Sequence, residues 1–137
     1  MGYDAMDYGV AHTKDVPVTD LSEIDELPPD LNIRSLDDVL GLEKMNAKLW
    51  YLEPGEQIGY HAHSEQEEFY YVIEGTFSLK LGRSGEEEIR EVGPGTFFSA
   101  GPEIGHGYRN VGDERGVVLA IGTPPVHDPG LDPHALD

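Results

Sequence analysis

Two histidines separated by a single residue, His61 and His63, are the side chains best suited to chemistry in this chain, and Glu68 follows five residues later. Residues i and i+2 of a β-strand project from the same face. On a strand the two imidazoles would therefore lie side by side, roughly 6–7 Å apart at a rise of about 3.3 Å per residue. A carboxylate and the third imidazole of His106 would complete a nitrogen and oxygen site for a divalent metal.

Period-two patterning from residue 45 onward predicts the elements that position these side chains. Gly, Pro and Asp turn signals recur at short intervals and leave no room for a long helix. The predicted strands are 45–53, 57–61, 68–74, 76–81, 87–92, 96–99, 106–111 and 116–123. About eight short strands of this kind indicate an antiparallel barrel or a double-sheet jelly roll.

The two ends of the chain show no such period. Residues 1–44 are interpreted as an N-terminal arm with at most a short helix, for which Ser35 would be the N-cap and Gly41 the end. Residues 124–137 form a proline-rich tail that we expect to be irregular. We expect His12, His127 and His134, which lie in the arm and the tail, to be solvated.

The spacing of histidines, glycines and prolines resembles the two motifs of the cupin family, over residues 45–123. The residues that carry the resemblance to the first motif are Gly59, His61, His63, Glu68 and Gly75, and those of the second are Gly95, Pro102, Gly105, His106 and Asn110. Six residues separate Gly95 from Pro102 and two separate Pro102 from Gly105, which departs slightly from the family spacing. This departure affects the loop before His106 rather than His106 itself.

The resemblance implies an all-β cupin jelly-roll barrel over 45–123 and a metal held by His61, His63, Glu68 and His106. Three neutral imidazoles and one carboxylate suit Mn, Fe, Co, Ni or Zn and leave one or two positions for water or substrate. Glu65 and Glu67 compete with Glu68 for the carboxylate position. Glu67 has the opposite strand parity and Glu65 lies in a connection, so Glu68 is favoured.

Strand parity also predicts which side chains line the site. Tyr70 lies two residues after Glu68 and Tyr108 two residues after His106, so both are candidate pocket residues. Asn110 is expected to support its strand or turn. Arg90 and Arg109 are the basic residues nearest the second motif, and either could pair with an anionic substrate, although a surface ion pair is the simpler interpretation.

Three functional classes remain at this stage. The first is a metal-dependent enzyme of the dioxygenase or isomerase type; sugar phosphates fit less well because Lys and Arg are scarce, and oxalate chemistry is usually carried by chains with two cupin domains. The second is a non-catalytic metal or small-molecule binding or sensor cupin. The third is a structural role such as seed storage, against which the intact ligand set argues. The sequence contains no helix-turn-helix pattern, so it does not indicate a self-contained transcription regulator.

Composition restricts the partners. The 27 acidic residues exceed the 9 Lys and Arg, for a formal charge of −18, which disfavours nucleic acids and anionic membranes. One hypothesis for this acidity is adaptation to high salt, and the alternative is an acidic mesophilic protein that is simply very soluble. The chain has no cysteine, no apolar run long enough to span a membrane and no basic leader. We expect a cytoplasmic protein that binds a small molecule, and the family resemblance implies a homodimer formed through the N-terminal strand or arm.

Overall fold

The computed structural model describes residues 8–21, 31–126 and 130–136. Nine β-strands and one short α-helix are found among these residues, together with single 3-10 turns at Thr13–Asp15 and Pro133–Ala135. In chain order the elements are β1 (Asn32–Ser35), α1 (Asp37–Leu40), β2 (Asn46–Leu52), β3 (Gln57–His61), β4 (Glu67–Glu74), β5 (Phe77–Leu81), β6 (Glu88–Val92), β7 (Phe97–Ala100), β8 (His106–Asn110) and β9 (Gly116–Thr123).

The strands form two antiparallel sheets whose inner faces enclose the core. One sheet has the order β1-β2-β9-β4-β7 and the other the order β3-β8-β5-β6. Because the chain alternates between the sheets from β2 to β5 and again from β6 to β9, and several neighbouring strands are distant in sequence, this is the jelly-roll arrangement that the sequence predicts. The largest fully buried side chains between the sheets include Leu52, Tyr70, Val72, Phe77, Leu79 and Val118.

Strand β4 shows why these residues form a sheet. Its side chains alternate between the two faces, with Tyr70 and Val72 at 2% and 0% exposure and Phe69 and Ile73 both at 41%. A one-residue slip would exchange the two sets and expose the aromatic core, so burial determines the register. The hydrogen-bonded pairing of Glu68 with Ala100 and Gly122 follows from that register and directs the carboxylate towards the barrel interior.

All eight predicted strands are present, with bounds that differ from the predictions by at most one residue. Strand β1 was not predicted, because Ile33 is its single buried residue. The predicted N-cap at Ser35 is wrong: Ser35 ends β1, paired with Lys48, and the N-cap of α1 is Leu36, which makes no side-chain capping bond. Gly41 does end the helix, with φ of 66°.

The C-terminal segment, residues 130–136, returns to the barrel. Leu131 forms an antiparallel bridge with Ala62, and Asp132 caps the 3-10 turn that follows. The expectation of an irregular tail is therefore wrong for these residues. No helix in the described part of the chain has the length and apolar character needed to cross a membrane.

Candidate metal centre

A β-bulge directs His61 into the barrel. Ile58 pairs with Tyr108, and His61 pairs with His106. Two residues of β3, Gly59 and Tyr60, therefore lie opposite one residue of β8, Gly107. Ile58 is buried, and simple alternation from it would point His61 outwards. The extra residue reverses the parity, a known use of bulges beside functional sites.

Gly107 on the facing strand β8 and Gly105, just before that strand, make room for this bulge. A Cβ atom at Gly107 would lie 2.9 Å from the carbonyl carbon of Gly59 and from the oxygen of Ile58. A Cβ atom at Gly105 would lie 2.4 Å from the ring of Tyr60. Tyr60 crosses Gly105 and donates its hydroxyl hydrogen to the carbonyl of Gly82. The glycines that flank His106 therefore serve close packing against β3.

The four predicted ligands converge at one end of the barrel. His61 and His63 come from the end of β3, Glu68 from β4 and His106 from β8, and one ligand atom from each lies within 4.8 Å of all the others. Oε1 of Glu68 is 2.8 Å from Nε2 of His106 and 3.0 Å from Nε2 of His63. Both sheets contribute, so the cluster exists only when the jelly roll is closed.

Backbone carbonyls orient two of the imidazoles. Nδ1 of His61 is 2.7 Å from the carbonyl oxygen of Gly59, and Nδ1 of His106 is 3.0 Å from that of Ile104. A carbonyl oxygen only accepts a hydrogen bond, so Nδ1 carries the proton in both rings. Nε2 of each ring then presents its lone pair to the cluster, as in histidines that ligate metals.

The donor set fits a metal ion. His106 is 1% exposed, and its two ring nitrogens face the carbonyl of Ile104 and the carboxylate of Glu68, both of which are acceptors. A neutral imidazole has one N–H, so a proton or a cation is needed between Nε2 and Oε1. Neighbouring ligands at bond lengths of about 2.1 Å lie about 3 Å apart around an octahedral ion, close to the separations found here.

Burial and the neighbouring rings set the protonation states. Desolvation, with the nearby His106, lowers the pKa of His61 to about 4, so its imidazole is neutral at neutral pH. Burial alone would raise the pKa of Glu68, but in the metal-free protein hydrogen bonds donated by Nε2–H of His106 and of His63 outweigh desolvation and hold that pKa well below the usual range. A bound cation would take the place of these protons. A charged carboxylate beside a neutral imidazole is a suitable ligand pair for a divalent cation.

Tyr70 and Tyr108 lie beside the cluster, as parity predicts. The ring of Tyr70 is 5.8 Å from that of His106 and 5.4 Å from that of Tyr108, and it stacks on Phe98 at 4.6 Å. Burial raises the pKa of both phenols well above their usual range, and the Glu68 carboxylate adds to the shift. Both hydroxyls therefore stay protonated and can donate hydrogen bonds.

The other candidate residues lie away from the cluster. Asn110 supports its strand and turn, donating to the carbonyls of Leu52 and Glu114. Arg90 pairs with Glu88 on the surface, and Arg109 is exposed on β8. Glu65 and Glu67 are exposed as well.

Sequence reasoning missed the C-terminal segment as part of the site. Gly130 lies near the side chain of His61, with room for a methyl group between them, and Nδ1 of His134 is 2.5 Å from Oγ of Ser84. His134 thus has contacts although it is exposed. His12 is exposed and accepts a hydrogen bond from the amide of Lys14, while His127 lies outside the described residues. The signal in the sequence was Asp132-Pro133, a cap followed by proline, which is typical of an ordered turn.

Comparisons with known proteins agree with this architecture. A family model described as the cupin domain matches residues 48–122. Among curated proteins, a polyketide synthase named CurC from Streptomyces cyaneus is 34% identical over 80 residues, which are 58% of this chain and 49% of that protein. The chain thus spans about half the length of that relative.

Solved structures also share the fold. A candidate sugar phosphate isomerase from Acidithiobacillus ferrooxidans is 32% identical, with a TM-score of 0.63 over 72% of this chain and 62% of that one. An oxalate decarboxylase from Bacillus subtilis, studied for its Mn(II) centres, is 23% identical, with a TM-score of 0.62 over 74% of this chain and 27% of that one. At that identity the decarboxylase shows the fold alone.

Proposed function

The chain belongs to the cupin family, and we propose that it is a metal-dependent enzyme acting on a small, uncharged, oxygen-bearing molecule by isomerisation or dioxygenation. The observation that carries this proposal is the convergence of His61, His63, Glu68 and His106 at the end of the barrel. A purely structural cupin would have no need for a charged carboxylate among three imidazoles in a largely buried site.

In the proposed enzyme, one group of residues would bind the metal and another would contact the substrate. The three imidazoles and Glu68 would hold one divalent transition ion among Mn, Fe, Co, Ni and Zn. Such an ion supplies a Lewis acid that polarises a carbonyl or enediol oxygen, or a centre for oxygen chemistry if it is iron. Tyr70 and Tyr108 present protonated hydroxyls beside that position: the Tyr70 hydroxyl donates to the carboxylate of Glu68, and the Tyr108 hydroxyl would donate a hydrogen bond to a substrate oxygen.

The lining supports an uncharged substrate. Tyr70, Tyr108 and Phe98 contribute aromatic surface, and none of the nine Lys and Arg side chains, all in the described ranges, is buried. A phosphate would find no cationic partner inside, so a sugar phosphate is less well supported. The similarity to a protein named as a polyketide synthase is consistent with a carbonyl-bearing or phenolic carbon skeleton.

Metal analysis followed by turnover assays tests this proposal. Protein purified without chelators should contain about one transition ion per chain by elemental analysis, and the double variant His61→Ala/His63→Ala should contain none. Mn, Fe, Ni and Zn forms are then assayed for oxygen uptake and for isomerisation of small diols, diketones and phenols. Absence of bound metal from the unmodified protein, even after loading, would refute the proposal.

A non-catalytic metal or small-molecule binding cupin is the second candidate. It is favoured by the protonated state of Tyr70 and Tyr108, because neither hydroxyl can act as a general base at neutral pH. Tight metal binding with no turnover by any metal form would support this binder and exclude the enzyme.

A further inference from the structure

The C-terminal segment lies beyond the part of the chain that the family model matches, yet it contacts the candidate metal centre. The family match ends at residue 122, whereas the segment comprises residues 130–136. It crosses the barrel at the end of β3, where two of the four candidate ligands are located. Its contacts therefore join residues beyond the matched range to residues of the matched barrel.

The segment holds the backbone between those two ligands. Ala62 separates His61 from His63 and is fully buried. The amide of Ala62 donates to the carbonyl of Leu131 at 3.0 Å, and the amide of Leu131 donates to the carbonyl of Ala62 at 2.8 Å. The pairing of β3 with β8 ends at His61, and the next residue, Ala62, pairs with Leu131 on the other edge of the strand. Fixing both polar groups of Ala62 fixes the directions of the side chains on either side.

The segment also runs beside the ligand ring. A Cβ atom added at Gly130 would lie 3.6–3.8 Å from Cβ, Cγ and Cδ2 of His61, which is ordinary van der Waals distance. The backbone of Gly130 is therefore a near neighbour of the imidazole, with room for a methyl group between them. The segment thus neighbours the first ligand as well as the backbone that follows it.

A second anchor holds the far end of the segment. Nδ1 of His134 is 2.5 Å from Oγ of Ser84, in the turn between β5 and β6, and its ring lies 5.6 Å from the ring of Tyr60. Tyr60 is the residue before His61, within the bulge. Pro133 between the anchors is buried. The segment is thus anchored at two points, at Ala62 beside the end of β3 and at Ser84 in the turn between β5 and β6.

We propose that residues 130–136 act as a strap that retains the metal ion by holding His61 in its ligating position, and that detachment of the strap is the step that permits metal exchange. This inference rests on the metal binding put forward above as the proposed function. Because the strap is joined to the barrel by a single-residue bridge and a side-chain hydrogen bond rather than by a strand of either sheet, it can open locally while both sheets remain folded. The residues concerned are positioning residues, since none of them is a candidate ligand.

A matched pair of substitutions at Leu131 tests the strap. Leu131→Pro removes the amide that donates to Ala62, whereas Leu131→Ala keeps both backbone hydrogen bonds and shortens the side chain. Each full-length protein is loaded with Co²⁺, and release into excess chelator is followed by the visible absorption of the bound ion. Leu131→Pro should release Co²⁺ about tenfold faster, at the lower end of effects seen for groups that support metal ligands, and Leu131→Ala should release it close to the wild-type rate.

The other anchor provides an independent test if Leu131→Pro proves difficult to produce. His134→Ala and Ser84→Ala should each accelerate Co²⁺ release, and the double variant should be no faster than the faster single one, because both remove the same hydrogen bond. His134→Phe keeps the ring against Tyr60 without that bond and should fall between His134→Ala and wild type. The Co²⁺ absorption band should change shape in Leu131→Pro, which a loss of general stability would not cause.

The outcomes separate the two proposals. If the wild-type protein binds Co²⁺ but every variant releases it at the wild-type rate, the strap is refuted and the proposed function stands. If the wild-type protein binds neither Co²⁺ nor Mn²⁺, the proposed function fails and the strap fails with it. If release accelerates only in proportion to a lower unfolding midpoint of the metal-free protein, the segment is a stabilising element and the strap is refuted.

Discussion

The two ring nitrogens of the buried His106 both face hydrogen-bond acceptors. Its Nδ1 faces the carbonyl of Ile104 and its Nε2 faces the carboxylate of Glu68, so a single ring proton cannot serve both acceptors. A positively charged group is therefore needed between Nε2 of His106 and Oε1 of Glu68. The histidine is thus held in the tautomer that a metal requires, and the carboxylate beside it supplies the compensating negative charge.

Burial of His61 predicts a pH-dependent stability of the metal-free protein. Its folded pKa of about 4 lies below the ordinary value of 6.5, so between these values the unfolded chain binds a proton that the folded chain excludes. The free energy of unfolding should therefore fall as the pH drops below 6.5, with the loss complete near pH 4. The contribution is at most about 3 kcal/mol, from 1.4 kcal/mol per pKa unit, and solvent screening reduces it.

Urea unfolding at a series of pH values, in the presence of chelator, measures this effect. The comparison is with His61→Gln, in which the titrating group is absent and the other ionisable groups remain. The difference in unfolding free energy between the two proteins should change between pH 6.5 and 4 in the direction given. A difference that is independent of pH would contradict the assigned burial of His61.

At the scale of elements, the bulge in β3 predicts unequal effects for two glycines that face each other. Gly107→Ala would place a Cβ atom 2.9 Å from the backbone of Gly59, whereas a Cβ atom at Gly59 meets nothing within 4 Å. We expect Gly107→Ala to lower stability by about 2 kcal/mol or more and metal affinity by at least tenfold, since His61 loses its orientation. Gly59→Ala is the matched control, and urea unfolding with metal titration measures both. Equal behaviour of the two variants would argue against the bulge.

The loop before His106 contains a strained residue. Glu103 has a positive φ of 67°, which is unfavourable for a residue with a side chain, and its amide donates to the carbonyl of His63 at 2.6 Å. Glu103→Gly should therefore raise the free energy of unfolding by up to about 1 kcal/mol, less the extra entropy of glycine in the unfolded chain.

Glu103→Val, with a β-branched side chain at the same φ, should lower the free energy of unfolding. Urea unfolding of the two variants, side by side with the wild-type protein, checks both directions. A Glu103→Gly variant that is less stable than Glu103→Val would show that this turn does not need a left-handed residue.

The elements differ in how far sequence could predict them. Strand bounds followed from turn residues such as Pro54-Gly55 and Gly93-Pro94-Gly95, because turn chemistry is local. The parity of β4 followed from its alternating aromatic residues, and Tyr70 was placed correctly for that reason. Strand β1 has too few apolar residues to give a period, and it forms because β2 provides a partner.

The missed features of the site have a common cause. A bulge at Gly59-Tyr60 depends on what lies across the sheet, and a tail that docks through Leu131 depends on the free edge of β3. Neither contact requires a periodic pattern of apolar residues in the segment that makes it, so neither can be predicted from periodicity. The spacing of His61, His63, Glu68 and His106 indicated their convergence, but not the carbonyls of Gly59 and Ile104 that select the ring tautomers.

At the scale of the whole molecule, the formal charge of −18 predicts salt-dependent stability. Screening shortens from about 10 Å at 0.1 M salt to about 3 Å at 1 M, so repulsion among the acidic side chains should weaken steeply. The thermal midpoint should rise from low to molar KCl if the chain is adapted to high salt. A midpoint that does not change would instead favour the acidic mesophilic alternative. Residence in the cytoplasm stays a prediction.

Besides the N-terminal strand or arm that the family resemblance implies, the outer face of β4 and β7 in the five-stranded sheet offers a second surface for a homodimer. Phe69, Ile73 and Phe97 are exposed there, Phe97 at 64%, and the rings of Phe69 and Phe97 lie 5.8 Å apart. We expect a second copy to cover such an apolar patch. The dimer should be tighter at high KCl, because salt screens the repulsion between two acidic chains. Sedimentation of wild-type protein and Phe97→Glu across KCl concentrations measures this. A wild-type monomer at every salt concentration would contradict the expectation.

The position of residues 130–136 affects how the protein should be handled. A polyhistidine extension fused after Asp137 would be joined to the segment that neighbours His61, and its imidazoles would compete for the same ion. Metal content determined on such a preparation would count ions bound by the extension and would understate losses caused by substitutions in the barrel. Purification through an amino-terminal, cleavable extension keeps the measured ion attributable to the protein.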